Sequence, residues 1–429
     1  MSETRPLFYD AYLAILREEL VPAMGCTEPI AVAYAAAMAC DILGCRPEDA
    51  EIRCSANIVK NVKSVTVPNT GGMRGIRAAA IAGIVGGNAQ AKLEVLESVT
   101  KEDLAEVRRL RDAGFCKAVL AEGIEGLFIE AIVRAGGQSA EVIIQNTHTN
   151  IFRIRKNGVT IFESEKKEGE AGADAARPGY DLLNVRDILQ FAETVSLDEV
   201  SELLDRQIRF NEAISDEGLK NDYGVSVGKT ILAREGGGVR SRARAQAAAG
   251  SDARMGGCAL PVVINSGSGN QGITVSLPVV EYARELKVGH DRLLRALVIS
   301  NLVALEQKEY IGKLSAYCGA VSAAVGSGAG ITYLHGGGYD MIAMTITNAI
   351  ATAGGIFCDG AKSSCAAKIS IALEAAITAH EMSMKGKGFS PGEGLVGADV
   401  ERTIRNVGHI GSVGMRPTDI EIIRIMLAD

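Results

Sequence analysis

Three cysteines on the rims of an uncharged stretch offer the most distinctive chemistry in this 429-residue chain. Cys318 stands in Ser315-Ala-Tyr-Cys318-Gly, and Cys358 and Cys365 flank Asp-Gly-Ala-Lys-Ser-Ser. Between Leu314 and Phe357 the only formally charged residue is Asp340. Thiolates on an apolar scaffold suit a soft metal or an iron–sulfur cluster. The C-x6-C spacing is neither a ferredoxin run nor a zinc ribbon. The pattern alone therefore leaves two readings open: a three-ligand cluster with one iron free for substrate, and cysteines of an apolar core.

A fourth thiol, Cys26, lies in Met24-Gly-Cys26-Thr27-Glu28-Pro29. Pro29 fits the first turn of a helix and Thr27 its cap, so an Ala-rich helix is predicted from Ile30 to Leu43, ending at Gly44. A thiol at a helix N-terminus meets orphan N–H groups and the macrodipole, which lower its pKa. A small buried residue beside a turn is the competing reading. The run Asn265-Ser266-Gly267-Ser268-Gly269-Asn270-Gln-Gly could present successive N–H groups to a carboxylate or phosphate, or be a structural turn. His148, in Asn-Thr-His148-Thr-Asn, follows a predicted strand and either faces a site or sits in a turn.

Other patterns carry less. Gly224-Val-Ser-Val-Gly228-Lys229-Thr230 is one residue short of a phosphate loop and reads as a turn between helices. Gly326–Gly330 lacks the strand and acidic residue of a dinucleotide loop. The five histidines form no metal-binding pair, which argues against a zinc hydrolase. Cys40, Cys45, Cys54, Cys116 and Cys258 read as core residues.

The elements that must position these groups fall into three parts. Residues 5–20 form an amphipathic helix leading to Cys26. Residues 46–180 read as an α+β unit. Strands are predicted at 51–58, 62–67, 118–120, 127–135, 140–145, 150–156 and 159–163, with an Asn157-Gly158 hairpin turn and helices over 73–86 and 101–113. Residues 164–179 read as a polar loop. From 181 to 429 the pattern is helical, with helices over 185–194, 198–217, 278–286, 290–309, 314–326, 340–353, 363–384, 398–406 and 417–427, and an extended run at 261–264. The expected fold class is α+β: residues 1–45 pack with a mainly helical C-terminal catalytic domain, and a smaller α+β domain is inserted between them.

Bulk properties narrow the function. A net charge of −7 and a pI near 5.5 argue against nucleic-acid binding. Nine cysteines are too few for a disulfide scaffold, and the charged, helix-like residues 1–20 do not resemble a secretory leader. A reducing cytoplasm is expected. The uncharged spans 315–339 and 341–358 are long enough for membrane helices, but their Gly, Ser and Thr content reads better as helices buried on all sides. With 49 glycines, close packing through small side chains is expected.

Several motifs together resemble the L-cysteine desulfidase family, whose iron–sulfur region is similar to the α part of bacterial iron–sulfur L-serine dehydratases. They are Met24-Gly-Cys-Thr-Glu-Pro29, Lys60-Asn61, Val67-Pro68, His148-Thr-Asn150, Cys318-Gly-Ala, Cys358-Asp-Gly-Ala-Lys362, Asn406-Val-Gly-His-Ile-Gly411 and Gly414-Met-Arg-Pro-Thr-Asp419. The resemblance covers nearly the whole chain. It implies a [4Fe–4S] lyase, independent of pyridoxal phosphate, that converts L-cysteine to pyruvate, ammonia and hydrogen sulfide. Carried over, Cys318, Cys358 and Cys365 match the cluster ligands and Cys26 the proposed catalytic base. The last two ligands are closer together than in the serine dehydratases, which points to the desulfidase branch. For the substrate carboxylate, the 265–272 run, Asn265 to Asn270 above all, is the first choice of donors, followed by Lys60, Asn61, Thr70 and His148. L-Serine dehydration and a non-enzymatic cluster- or amino-acid-binding role are the alternatives. A homodimer is one assembly open to the chain.

Overall fold

The computed structural model describes residues 5–124, 126–164, 179–312 and 314–428, so the predicted 164–179 loop lies almost entirely outside the described residues. The fold is α+β, with a small sheet and a larger helical body. The described residues include eight strands: β1 (Pro22–Met24), β2 (Asp49–Cys54), β3 (Cys116–Leu120), β4 (Phe128–Ala135), β5 (Gln138–Gln145), β6 (Ile151–Lys156), β7 (Val159–Glu163) and β8 (Pro261–Val263). Six of them form a sheet in the order β3-β2-β4-β5-β6-β7, antiparallel except for β2 with β3. Asn157 and Gly158 both take positive φ (52° and 78°), as the tight hairpin between β6 and β7 requires.

The N-terminal helices are α1 (Leu7–Glu19), α2 (Thr27–Leu43), α3 (Ala56–Val62), α4 (Ile76–Gly86) and α5 (Lys101–Asp112). Those of the helical body are α6 (Val185–Thr194), α7 (Ser201–Lys220), α8 (Val227–Glu235), α9 (Val239–Met255), α10 (Gly269–Leu286), α11 (His290–Ile311), α12 (Gly319–Leu334), α13 (Tyr339–Ala353), α14 (Cys365–Ser383), α15 (Val400–His409) and α16 (Arg416–Ala428). Helix α1 packs on α6 and α11, whereas α2 packs on α4 and the face of β4 and β5. The segment before Cys26 therefore belongs to the helical body and the segment after it to the sheet.

Helix α12 is the centre of the body, against α10, α11, α13 and α14. Small residues let the backbones approach: a Cβ at Gly326 would lie 2.3 Å from the Ser300 carbonyl oxygen. Burial of this Gly/Ala-rich helix is the expected outcome for its composition, and among the described residues no helix is long and apolar enough to cross a membrane.

Two expectations fail for physical reasons. Strand β2 ends at Cys54 because the Ser55 N–H donates to Phe128 O (3.0 Å) and its hydroxyl to Gly126 O (2.7 Å), turning the chain into α3. The predicted strand at 62–67 is thus the end of that helix plus a single bridge from Thr66 to Arg74. Tertiary contacts override the β-branched run. Helix α10 starts at Gly269, not at 278: Pro278 sits inside it, where a sequence reading takes proline for a first turn. Helix α12 likewise begins only at Gly319, after a short ladder described below.

Candidate functional site

The site is assembled where β1 and β8 pair, with Pro22 opposite Val263 and Met24 opposite Pro261. This ladder fastens the segment leading to Cys26 to the segment leading to the 265–268 run. Gly25 then turns the chain at φ 55°, and any side chain there would collide with Pro68, whose Cγ would lie 2.1 Å from a Cβ. Cys26 is the N-cap of α2, but no side chain caps that helix. Thr27, expected to do so, instead places its hydroxyl 2.9 Å from Gly267 O and 3.1 Å from Glu28 Oε2, joining the two loops.

Glu28 is the hub. Its Oε2 accepts from the Cys26 thiol at 3.0 Å, and its Oε1 from Asn61 Nδ2 at 3.1 Å. His148 Nε2 stands 3.9 Å from Oε1, beyond hydrogen-bond distance and without another partner, so its influence on Glu28 is electrostatic. Burial works to raise the Glu28 carboxyl, but His148 and the Cys26 thiol hold it well below the usual carboxylate range. The Cys26 thiol moves the other way: burial first, and then the Glu28 charge, push it well above its ordinary value. The expected lowering by the helix terminus is therefore overturned. Desolvation and a facing carboxylate outweigh a dipole effect of about 0.3–1 kcal/mol.

The other three thiols lie on two neighbouring pieces of chain. The Cys318 N–H donates to Ile356 O (3.0 Å) and the Cys358 N–H to Ala316 O (2.5 Å), around the antiparallel bridge between Tyr317 and Phe357. In that register Cys318 and Cys358 project from the same face, opposite to the bridging pair. Cys318 is the N-cap of α12 and Cys365 the first residue of α14. Burial, then the neighbouring Cys358 and, more weakly, Cys365, push the Cys318 thiol up to about 12. Cys365 and Ala361 pack against a small apolar cluster of Cys26, Val65 and Met255, so the fourth thiol shares this neighbourhood. Two cations stand beside the trio: Lys362 and Lys368 both pair with Asp359, the latter at 2.5 Å, and Lys368 Nζ also donates to Phe357 O at 2.8 Å.

All nine cysteines are free, and Cys45 is exposed rather than a core residue. Among the described residues no three His, Cys, Asp or Glu side chains are arranged to hold a single metal ion. The chemistry of the trio fits a polynuclear iron–sulfur group: thiols only, two at helix N-termini, with lysines to offset the negative charge.

The remaining candidates separate. Asn61 and His148 flank Glu28, as described. Lys60 is nearly fully buried, pairs through Nζ with Asp419 at 2.5 Å, and lies against Gly360 of the Cys358–Cys365 loop. The Thr70 hydroxyl bonds Val67 O (2.7 Å) within its own turn. Asn265 anchors its loop to α11 through Asn301 Oδ1 (3.0 Å). Ser266 (φ 49°) and Gly267 (φ 72°) form a tight turn closed by reciprocal Asn265–Ser268 backbone bonds, and Ser268 caps α10 without a side-chain bond. Gly269 and Asn270 begin that helix, and Asn270 Oδ1 has no partner.

Gln271, the next residue of that run, packs against the Gly319 backbone next to Cys318, with its Oε1 unpartnered. The sequence reading passes over two residues, Glu28 and Arg254. Glu28 lies within the quoted motif, two positions from Cys26. Arg254 closes α9 after the small-residue run 247–251, separated from the arginines of the helix's first two turns.

The serine dehydratase alpha chain family matches residues 90–424, a span that includes the cysteine trio and the 265–271 loop. A UPF0597 protein of Lachnoclostridium phytofermentans is 52% identical over 98% of this chain and 100% of its own. UPF0597 proteins of Desulfitobacterium hafniense (48%, 99% of this chain and 98% of theirs) and Treponema denticola (47%, 98% of each) are similar over the same extent.

Proposed function

This chain belongs to the serine dehydratase alpha chain family, and on that premise we propose that it is a pyridoxal-phosphate-independent β-elimination lyase acting on a small L-amino acid. The substrate we assign first is L-cysteine, converted with water to pyruvate, ammonia and hydrogen sulfide. The observation that carries this reading is the meeting of a buried Cys26–Glu28 pair with the apolar cluster on which Cys365 rests. Cys318, Cys358 and Cys365 would hold a [4Fe–4S] cluster, which when bound supplies a Lewis-acidic iron for the leaving group.

The chain's own residues supply the rest. In its thiolate form Cys26 Sγ takes the proton from Cα, and Glu28 Oε2, 3.0 Å away, accepts a hydrogen bond from the thiol so formed. Asn61 and Thr27 hold that carboxylate in place. Loss of the β-substituent leaves aminoacrylate, which hydrolyses in water to pyruvate and ammonia. The buried setting of Cys26 keeps water from its sulfur.

L-Serine is a second reading, favoured by the family match; the eliminated group is then hydroxide. Anaerobic reconstitution with iron and sulfide distinguishes the two. Brown absorbance, and sulfide release from L-cysteine faster than pyruvate formation from L-serine, support the desulfidase. Faster serine turnover reassigns the substrate. A colourless protein that releases pyruvate from neither would falsify both.

A further inference from the structure

We propose that Arg254 is the anchor for the substrate's α-carboxylate, a role that rests on the amino-acid reading above but on separate residues. Arg254 closes α9 and is only 2% exposed. Its Nε has no hydrogen-bond partner, and among the described residues its guanidinium forms no ion pair. Burying a guanidinium without a counter-charge costs several kcal/mol (roughly, after relaxation), so such a group ordinarily has an anion beside it. Asp252, two residues earlier, is not that anion: its Oδ2 accepts from the Gly228 N–H at 3.0 Å and its Oδ1 is itself unpartnered.

The position of the guanidinium indicates the ligand. A Cβ at Gly269 would lie 2.3 Å from Arg254 Nε and 2.8 Å from Cζ, so the group lies against the first residue of α10. That helix has 18 residues and no side-chain cap, so its first N–H groups and its dipole act on the same place as the arginine. Cys26 feels the Arg254 charge, and Met255, the next residue, packs in the same cluster as Cys26. A carboxylate held by Arg254 and the α10 N-terminus therefore sets Cα beside Cys26, on the side where Cys365 rests. The unpartnered Asn270 Oδ1 and Gln271 Oε1 on the first turn of α10 provide acceptors for the ammonium group. A bidentate arginine and two amide oxygens match an amino-acid zwitterion.

The test uses full-length, anaerobically reconstituted protein and two probes that cannot react: L-alanine, and ethylamine, which lacks only the carboxylate. Calorimetry should show Arg254→Gln weakening L-alanine binding about 100-fold, as loss of a desolvated charge pair does, while ethylamine binds equally to both proteins. Gly269→Ala, which places a methyl group against the guanidinium, should weaken L-alanine in the same direction by about tenfold. Unchanged L-alanine affinity in a folded Arg254→Gln protein overturns the proposal. If that variant fails to fold, unchanged affinity in Gly269→Ala overturns it instead. A wild-type protein that binds L-alanine through Arg254 but eliminates neither substrate refutes the lyase reading and leaves the anchor standing. Turnover with an unaltered KM in Arg254→Gln refutes the anchor alone.

Discussion

Two groups of thiols in this molecule share one local design and differ in what faces them. Cys26 and Cys318 are both helix N-caps, and Cys365 opens a helix. In each case burial raises the thiol pKa. The difference lies in the facing charge. Cys26 looks at Glu28, whose carboxylate favours a proton on the sulfur. Cys318 and Cys365 lie in the field of Lys368, and Cys365 also in that of Lys362, both of which favour thiolates. Helix position and burial therefore do not assign a role. On the proposed reading, the neighbouring side chain is what makes one thiol a proton carrier and the others metal donors.

The largest expected effect separates the two groups outright. Cys358→Ser should abolish the brown absorbance of the reconstituted protein and lower kcat/KM by at least about a thousandfold, since leaving-group stabilisation of this kind is among the largest catalytic contributions. Cys26→Ala should leave the absorbance intact and lower kcat by about a hundred- to ten-thousandfold, the range for a general base. Loss of absorbance in Cys26→Ala would erase the distinction and move Cys26 among the ligands.

A smaller effect tests the cationic side. Lys368 Nζ pairs with Asp359 at 2.5 Å and donates to Phe357 O beside Cys358. Lys368→Met should speed iron loss to a chelator about tenfold, as loss of groups around a metal's ligands does, with little change in kcat of the fully loaded protein. Equal chelation rates would show that the lysines are merely solvated charges.

The division between legible and illegible features follows the same physics. Periodicity revealed the strands of the six-stranded sheet and most helices, because alternation and amphipathicity are local. It missed α8 and α9, whose Gly- and Arg-interrupted sequences hide their period, α3, where two hydrogen bonds of Ser55 to the 126–128 turn decide the chain's direction, and the first half of α10, where Pro278 imitates a helix start. At the site, residue types led to the cysteines, Asn61, His148 and the 265–270 run. Lys60 and Thr70 had the right chemistry, but Asp419 and the Val67 carbonyl already engage them. Glu28 and Arg254 escaped because what surrounds them comes from other elements: Asn61 and His148 beside the one, and Gly269, at the start of the next helix, against the guanidinium of the other.

The smallest expected effect bears most directly on the comparison, because it changes the facing charge and leaves the thiol untouched. Glu28→Gln keeps the size and the contacts to Asn61 and Thr27 but removes the negative charge. Burial, the larger cause of the raised Cys26 pKa, remains, so the thiol should stay above its ordinary value yet fall toward it. A base titrating from thiol to thiolate gains activity as pH rises through its pKa, so the alkaline rise in kcat should begin at lower pH in the variant. The plateau should fall by about tenfold, because a thiolate of lower pKa is a weaker base and a neutral amide holds the re-formed thiol less firmly than a carboxylate does. A profile of the same shape as wild type, at any height, would mean that Glu28 only props the loop. The difference between the two groups of thiols would then have to come from the lysines alone.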